Sequence, residues 1–433
     1  MRAPLSPPPN LDSPEVRRHL DRFVRSVLGV GNDVAVPELP SSLARILLRS
    51  EEYETPARDL WGCWEYGMSD NFRRGTLWEP EIDNWISEVG RSLPAVDRLP
   101  LWPSGAPFVV CPTHDVDMVS RRWTAAQGLR SVRIAATGTG GRGSVRSARA
   151  VSSIRAAGRL ARFGVSTAPS AAATLERCVE VESSRGVTGS YFFTVYSPDA
   201  PSYYDCVYSP DDPIVFRGRR SSVGDVMRLL VDEGFDVGLH GSYRSAIEDG
   251  VLDRQRQSLE RVAGTITTTR QHWLHWRVDR TPGLQEAAGI TADSTLGFNR
   301  NVGFRAGTSF PFFLWDARAA RPLNVLEIPL IAQESGLVST NALELNGEQS
   351  QVVLGTLMER VAGVGGVLTI LVHPHSLLSP DVAALYAWVL DEALAAGAWV
   401  TSVREVERWW REREAQLMRF PAGPEETAAQ REP

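Results

Sequence analysis

Short apolar, β-prone runs alternate with helical patterns from Phe108 to about residue 401, and this alternation limits the folds open to the chain. It is typical of βα units, whose strands form a parallel sheet or barrel. One helical pattern, Val223 to Glu233, runs into Gly234, the residue type that most often ends a helix. The sequence therefore predicts an α/β fold. The apolar runs are residues 108–110, 189–195, 237–239, 326–328, 367–372 and 399–401.

Histidine is rare in this chain, and its positions follow the predicted strands. Of the seven histidines, all but His19 lie at or just after an apolar run. In parallel β/α folds the chemistry is carried at the C-terminal ends of the strands. We therefore expect a shared site at one edge of the sheet. The six histidines are His114, His240, His272, His275, His373 and His375.

Two carboxylates, Asp115 and Asp117, directly follow the first apolar run. Residues i and i+2 of an extended chain point to the same side, so both carboxylates can enter one cleft, where one binds a cation and the other handles protons. The structural alternative is an Asp-x-Asp loop that caps a helix. His240 ends a later strand and precedes a glycine, which leaves room for a metal or substrate; the alternative is a satisfied core histidine. Imidazole with carboxylate suits Zn²⁺ or a similar cation.

A further β-prone segment, residues 269–276, contains two histidines and an arginine. Strand alternation places Arg270 and His272 on the same face and His275 on the opposite face. An aromatic strand with one satisfied histidine is the structural alternative, and it is stronger for His275 than for His272. The segment therefore adds His272 and Arg270 to the predicted site.

The last apolar run ends in His373-Pro-His375. Pro374 fixes the turn directly after the strand. A histidine that titrates near neutral pH suits proton donation to a leaving amine. We favour His373 over His375 for this role because His373 lies nearer the strand.

These segments resemble, in the same order, the motifs of the polysaccharide deacetylase family of N-acyl amide hydrolases, also known as the NodB-homology or carbohydrate esterase family 4 type. The resemblance covers about residues 106–405 and implies a NodB-like distorted (β/α) barrel with parallel strands, preceded by a small, mainly helical N-terminal domain. It is closest to an uncharacterised subgroup. The motifs are residues 113–117, 234–240, 270–276 and 371–373, and the subgroup features are residues 48–53, 80–85, 270–273, 293–297, 303–308 and 327–329.

The resemblance also implies a role for each residue of the site. Asp115 is then the general base, Asp117 and His240 are ligands of a divalent metal, and His373 is the general acid. The metal, Zn²⁺ with Co²⁺, Ni²⁺ or Mn²⁺ as alternatives, polarises the amide carbonyl and activates a water molecule. The remaining predicted catalytic residue is an arginine, Arg270 or Arg305, which holds Asp115 ionised by charge pairing.

One position departs from the family pattern. The second motif usually supplies another histidine four residues after the first, and that position is Arg244. A cationic side chain cannot bind a metal. Either His272 becomes the third protein ligand, or the metal site is weakened or lost; Ser242 or Ser245 is a weaker candidate for an oxygen ligand.

The leading functional prediction is removal of an N-acetyl group from an amino sugar of a polysaccharide or glycoconjugate precursor. Hydrolysis of a non-sugar amide or cyclic imide, and a catalytically inactive carbohydrate-binding relative, are the alternatives. Trp273, Trp276 and Trp315 offer faces for a sugar, although tryptophans at a cleft also pack as core. The predicted partner is therefore an N-acetylated sugar or glycan.

Composition and charge bear on organisation and partners. The net charge of −6 gives no global attraction to nucleic acid, and none is predicted as a partner. The Arg-rich insertion, about residues 121–170, has no acidic residue and is predicted to be a flexible loop, with contact to a membrane surface or an anionic substrate as the alternative. The predicted domains are 1–105, mainly helical, and 106–412, with a disordered tail at 413–433. The oligomeric state stays open.

The remaining features concern location. The four cysteines are scattered without a paired spacing, which predicts reduced thiols. The proline-rich N-terminus has no apolar h-region, and no stretch reaches the roughly 18 apolar residues of a spanning helix. These features predict a cytoplasmic protein without a transmembrane segment.

Overall fold

A computed structural model of the chain describes residues 7–419 except 56, 60–61, 95, 120–124, 138–170 and 199. The α-helices are α1 (Pro14–Leu28), α2 (Ser41–Leu47), α3 (Ser50–Glu54), α4 (Asp70–Arg73), α5 (Glu81–Ser92), α6 (Ala125–Thr137), α7 (Ala171–Ser183), α8 (Val223–Asp232), α9 (Val251–Ala263), α10 (Thr281–Ala287), α11 (Glu334–Val338), α12 (Gly347–Val364), α13 (Pro380–Ala395) and α14 (Val403–Leu417). The strands are β1 (Val109–Val116), β2 (Ser190–Phe193), β3 (Pro213–Phe216), β4 (Arg219–Ser222), β5 (Asp236–Gly241), β6 (Thr268–Gln271), β7 (Ala292–Asp293), β8 (Phe312–Asp316), β9 (Arg321–Glu327), β10 (Leu330–Gln333), β11 (Val367–Leu371) and β12 (Trp399–Val400).

The main sheet confirms the predicted α/β fold with parallel strands and a helical N-terminal region. Its strand order is β10-β11-β1-β2-β5-β6-β7-β9-β8, and β12 pairs with the first residues of β1. Neighbouring strands are parallel except β8 and β9, which form an antiparallel pair. The strands β3 and β4 form a separate hairpin. Helices connect β1 to β2, β2 to β5, β5 to β6 and β6 to β7, whereas the connection from β7 to its parallel partner β9 contains β8 instead of a helix.

Both faces of the sheet are buried, which explains why its strands are apolar runs rather than alternating ones. Successive residues of β1 pack in two different clusters. Val110 contacts the cluster formed with α7, α8, α9, α12 and α13, whereas Val109 and Cys111 belong to the cluster that includes α1, α5 and α14. The N-terminal helices therefore cover one face of the sheet and share a hydrophobic core with it.

The C-terminal helix continues beyond the predicted start of the tail at residue 413. α14 ends at Leu417, and both Arg413 and Glu414 are buried. Glu414 accepts a hydrogen bond from Ser26 (2.7 Å) and pairs with Arg22 (2.5 Å), so its charge is matched by α1. The charged residues at the C-terminal end of α14 therefore pack, as one face of a helix, against the N-terminal region. Residues 420–433 of the predicted tail lie outside the described residues.

The predicted Arg-rich insertion is described only in part. Its helix α6 is docked on the domain, because Arg130 and Gln127 both contact the carboxylate of Asp212, at 2.7 Å and 3.0 Å. Arg133 donates to the carbonyl of Pro198 at 3.0 Å. These two arginines are therefore structural contacts rather than part of a flexible loop, and residues 138–170 lie outside the described residues. None of the helices within the described ranges has the length and apolar content that crossing a membrane requires.

A buried ionic cluster joins the N-terminal region to the sheet domain. Glu52 is fully buried and contacts Arg305 and Arg49, each at 2.8 Å. Burial alone would raise the pKa of Glu52, but the two guanidinium groups outweigh burial and hold that pKa below its usual value. The cluster is charged, and its members depend on one another for charge compensation.

We expect Glu52→Gln to destabilise the protein by roughly 3–5 kcal/mol, because it leaves a buried guanidinium without its carboxylate. The control is Glu54→Gln, whose carboxylate is 44% exposed and pairs with Arg45 at 2.7 Å. That exposed pair contributes about 0–1 kcal/mol. Urea denaturation measures both free energies of unfolding. Equal, small losses in the two variants would contradict the structural role assigned to Glu52.

Candidate metal centre

The polar residues predicted from the sequence lie at the carboxyl ends of four parallel strands. Asp115 is the second-last residue of β1, and His240 and Arg270 are directly paired on β5 and β6. His373 follows the end of β11 by two residues. Asp117 comes directly after β1 and His272 directly after β6. Because the strands are parallel, these ends meet at one edge of the sheet. His240, His272 and His373 are therefore each brought within 4 Å of a carboxylate oxygen of Asp117.

Asp117, His240 and His272 form a group whose candidate ligand atoms all lie within 4.8 Å of one another. The Oδ1 atom of Asp117 lies 3.2 Å from Nε2 of His240 and 3.6 Å from Nε2 of His272. One carboxylate and two imidazoles form a donor set that binds Zn²⁺ and similar cations. The three side chains can hold a metal ion.

Hydrogen bonding fixes which nitrogen of His240 faces this group. The Nδ1 atom lies 2.9 Å from the carbonyl oxygen of Arg270, and a carbonyl can only accept, so Nδ1 carries the proton. The Nε2 atom is left as a lone pair that points toward Asp117. It is buried and has no hydrogen-bond partner among the described residues. A buried nitrogen without a partner is costly, and a metal ion at this position would satisfy it.

The charges of the group favour the ligand forms of Asp117 and His272. Burial alone would raise the pKa of Asp117, but His272, His240 and His373 outweigh burial, and the pKa is lowered. Burial lowers the pKa of His272 to about 3, so its imidazole is neutral at neutral pH. An ionised carboxylate and a neutral imidazole are the protonation states that bind metals. For His240, burial alone would lower the pKa, but Asp115 and Asp117 outweigh burial and raise it, so a metal ion at Nε2 competes with a proton.

Asp115 is held by a buried arginine. The Nη1 atom of Arg270 lies 3.4 Å from Oδ1 of Asp115. The guanidinium is itself fixed by Thr113 Oγ1, at 2.7 Å, and by the carbonyl and hydroxyl oxygens of Ser294, at 2.6 Å and 2.7 Å. Asp115 lies 3.8 Å from Nε2 of His240, so it stands beside the metal group without belonging to it.

His373 approaches the group from the other side. Its Nε2 atom lies 3.7 Å from Oδ2 of Asp117, and its Nδ1 atom contacts Oε1 of Glu334 at 2.7 Å. Burial alone would lower the pKa of His373, but Glu334 and, more weakly, Asp117 and Asp115 raise it to about 10. Ser376 also donates to Glu334, at 2.8 Å, which fixes the carboxylate. His373 is therefore a proton donor in the metal-free protein.

A cavity of about 350 Å³ opens over these groups. Trp273 and Leu274 form part of its wall, and both have a left-handed backbone, with φ of 62° and 48°. Non-glycine residues with such φ values are strained and persist only where the surroundings hold them. The carbonyl of Trp273 accepts from Asn299 Nδ2 at 2.8 Å and from Cys63 Sγ at 2.9 Å. The N-terminal region therefore supports this wall of the cavity. Further residues of the lining are Asp115, Asp117, His272, Arg300, Gln333, Glu334, Asn341, His373 and His375.

Comparison with known proteins gives two similar folds. No family model matches the chain, and no curated protein matches it. Among solved structures, a protein from Mycobacterium smegmatis provisionally named a polysaccharide deacetylase is 17% identical, with a TM-score of 0.46 over 74% of this chain and 95% of that chain. The allantoinase Puue is 12% identical, with a TM-score of 0.46 over 73% of this chain and 95% of the other. At these values neither protein's activity carries over to this chain.

The structure separates the two arginines that were predicted to hold Asp115. Arg270 contacts it, whereas Arg305 does not: its guanidinium binds the carboxylate of Glu52 and the carbonyl of Gly297, at 2.8 Å and 2.9 Å. Of the two alternatives, the contacts favour Arg270, because Glu52 already compensates the charge of Arg305; a catalytic role for either arginine stays a prediction. A motif arginine that pairs with the N-terminal region cannot be told from a catalytic one in the sequence.

The structure also shows what surrounds Arg244, in the segment that resembles the second motif of the deacetylase family. Arg244 pairs with Glu248 at 2.5 Å and does not enter the metal group, so the position of the usual second histidine carries no ligand. Ser245 donates to the carbonyl of Ser242 at 2.7 Å and to Oε1 of Gln271 at 2.9 Å. His272 completes the group of three that could hold a metal ion, and its role as the third ligand stays a prediction.

The other predicted residues have structural positions. His275 stacks on Tyr243 and donates to its carbonyl at 2.7 Å, so it belongs to the packing of the loop. Of the three tryptophans proposed to face a sugar, Trp273 lines the cavity, Trp276 is buried in the core and Trp315 packs against His19.

Two residues of the site were missed by the sequence analysis. Glu334 directly follows β10, so it repeats the pattern of a carboxylate after an apolar run that identified Asp115, and the same argument applied to residues 330–334 would have found it. Cys206 lies in a polar loop after β2, 3.8 Å from Asp117 and 3.9 Å from His272. No strand or spacing marks that cysteine in the sequence.

We expect Glu334→Gln to lower the pKa of His373 from about 10, because the carboxylate that stabilises the imidazolium is lost while burial continues to favour the neutral ring. Nuclear magnetic resonance titration of the His373 ring in metal-free protein measures this pKa. Ser376→Ala is the matched control, since it removes a hydrogen bond to Glu334 but keeps the charge. A pKa that stays at its original value in Glu334→Gln would contradict the assignment.

Proposed function

We propose that this protein is a divalent-metal-dependent hydrolase that removes the N-acetyl group from an amino sugar. The observation that carries the proposal is the arrangement of Asp115, held by Arg270, and His373, held by Glu334, on one cavity with the metal group Asp117, His240 and His272. An ionised base, a protonated acid and an electrophilic centre in one cavity are the parts that amide hydrolysis needs.

The residues fit the proposed cation. The unpartnered Nε2 of His240 and the carboxylate of Asp117 face the same point, and Zn²⁺ is the cation that this nitrogen and oxygen donor set favours. When bound, it would polarise the acetyl carbonyl and make water a better nucleophile at neutral pH. His240 lies on β5, and Asp117 and His272 directly follow β1 and β6, so the sheet positions all three proposed ligands.

The two remaining groups move protons. Asp115 accepts the proton of the attacking water, and its contact with Arg270 keeps the carboxylate oriented. His373 donates a proton to the nitrogen of the departing amino sugar, so the amine leaves in a neutral form while acetate retains the oxygen of the water. Glu334 prepares His373 for this step because it keeps the imidazole protonated.

The cavity supports an amino sugar as the substrate. Its volume of about 350 Å³ lies within the usual range of small-molecule sites. Trp273 offers an aromatic surface beside the metal group, against which the apolar face of a sugar ring can pack. The amides of Asn299, Asn341 and Gln333 line the same space and can bond to sugar hydroxyls.

The test is acetate release from N-acetylglucosamine and its short oligomers by zinc-loaded protein. We expect Asp115→Asn to lower the rate roughly 100- to 10,000-fold, the usual contribution of a general base, without loss of the metal. Arg244→Ala is the control and should keep the wild-type rate, because Arg244 pairs with Glu248 outside the site.

Two outcomes would contradict the proposal. The first is an Asp115→Asn variant as fast as the wild type, which would exclude the residue as the base. The second is hydrolysis of a cyclic imide such as succinimide by metal-loaded protein without acetate release from any of the sugars. That result would assign the same catalytic groups to a different amide.

A further inference from the structure

Cys206 stands beside the metal group although nothing in the sequence marks it. It follows β2, the strand between β1 and β5 in the sheet, so its loop enters the same edge as Asp117 and His240. The side chain is buried, and Sγ lies 3.8 Å from Oδ1 of Asp117 and 3.9 Å from Nε2 of His272. The thiol therefore contacts two members of the group at once.

We propose that Cys206 is a fourth protein ligand, as a thiolate, of the metal held by Asp117, His240 and His272. The inference rests on the metal site of the proposed function but is independent of the substrate. On binding, the thiol proton is released to solvent and a sulfur–metal bond forms, so no oxidant or reductant is needed.

The distances from Sγ of Cys206 to Asp117 and His272 are close to those that this assignment requires. Zinc bonds of about 2.0–2.1 Å to nitrogen or oxygen and about 2.3 Å to sulfur place the ligand atoms of a tetrahedral site roughly 3.3–3.6 Å apart. The separations between Asp117 and the two histidines are 3.2 Å and 3.6 Å, and those from Sγ of Cys206 are a few tenths of an ångström longer than a bonded thiolate requires. Cys206 is not part of the three-residue group within 4.8 Å, so its Sγ atom would have to move toward His240 when a metal binds.

A second observation points to a ligand at this position. His240 is 1% exposed, and its Nε2 atom has no hydrogen-bond partner among the described residues although it faces Asp117. Of the four candidate ligands, Asp117 and His272 line the cavity, while His240 and Cys206 do not. The histidine and the thiol therefore lie behind the metal position, and with four protein ligands a water or substrate oxygen would enter from the cavity side as a fifth ligand.

The thiolate gives the site a metal preference. Sulfur ligands bind Zn²⁺ and Co²⁺ more strongly than Mn²⁺ or Mg²⁺, which prefer oxygen. A site with Cys206 as a ligand therefore selects the softer cations. A site of one carboxylate and two imidazoles alone accepts Mn²⁺ more readily.

Cobalt spectroscopy of the full-length protein tests the proposal. Co²⁺ bound to nitrogen and oxygen ligands absorbs in the visible region, and a thiolate ligand adds a sulfur-to-cobalt charge-transfer band in the near ultraviolet. We expect both bands in the wild type. Cys206→Ser should lose the near-ultraviolet band, keep the visible one and bind Zn²⁺ at least roughly tenfold more weakly. Cys63→Ser is the matched control, because it changes another buried cysteine, and it should keep both bands.

The outcomes separate the two claims. A visible band without a near-ultraviolet band in the wild type would overturn the role of Cys206 and leave the metal site intact. A near-ultraviolet band that survives in Cys206→Ser would also overturn it, since another thiol would then be the ligand. Absence of both bands, with no cobalt retained after dialysis, would overturn the metal site of the proposed function together with this inference.

Discussion

The parallel pairing of β1 with β11 on one side and β2 on the other determines where every group of the site can lie. Parallel strands end on the same edge of the sheet, so residues far apart in the chain meet there without any long connection. Asp117, His240 and His373 are each more than a hundred residues apart in the chain. Even so, His240 and His373 both lie within 4 Å of the carboxylate of Asp117. The apolar residues of the strands, buried on both faces, stabilise this arrangement.

Buried charges are the second constraint, and the charged side chains named next each lie beside a side chain of opposite charge. Arg270 compensates Asp115, Glu334 compensates His373, and Glu52 compensates Arg305 at the contact with the N-terminal region. A buried charge without a partner costs several kcal/mol in real proteins, on the order of the stability of a whole domain. In the metal group, Nε2 of His240 makes no hydrogen bond among the described residues and lies 3.2 Å from the carboxylate of Asp117, so a cation between the two atoms would bind both.

The sequence predicts the sheet and most of the site because both depend on strand ends. Asp115, Asp117, His240 and His373 each follow an apolar run, so their convergence could be expected, while their chemical roles stay predictions. The strand alternation that placed His272 beside Arg270 does not apply, because β6 ends at Gln271 and His272 begins a 3-10 turn at the same edge. Arg305 could not be assigned, since pairing with Glu52 depends on how the N-terminal region packs. The helical end of α14 was missed because a buried charged face has the composition of an exposed one. Cys206 was missed because loop position depends on tertiary structure.

The central claim is that Asp117, His240 and His272 hold one catalytic metal ion. Elemental analysis of zinc per chain after dialysis tests it most directly, applied to the wild type, His240→Ala, His272→Ala and the control His275→Asn, which alters a histidine outside the group. The account predicts one zinc per chain in the wild type and the control, and loss of zinc in the other two variants. Zinc retained in His240→Ala, or no metal in any protein after addition of Zn²⁺ or Co²⁺, would contradict it.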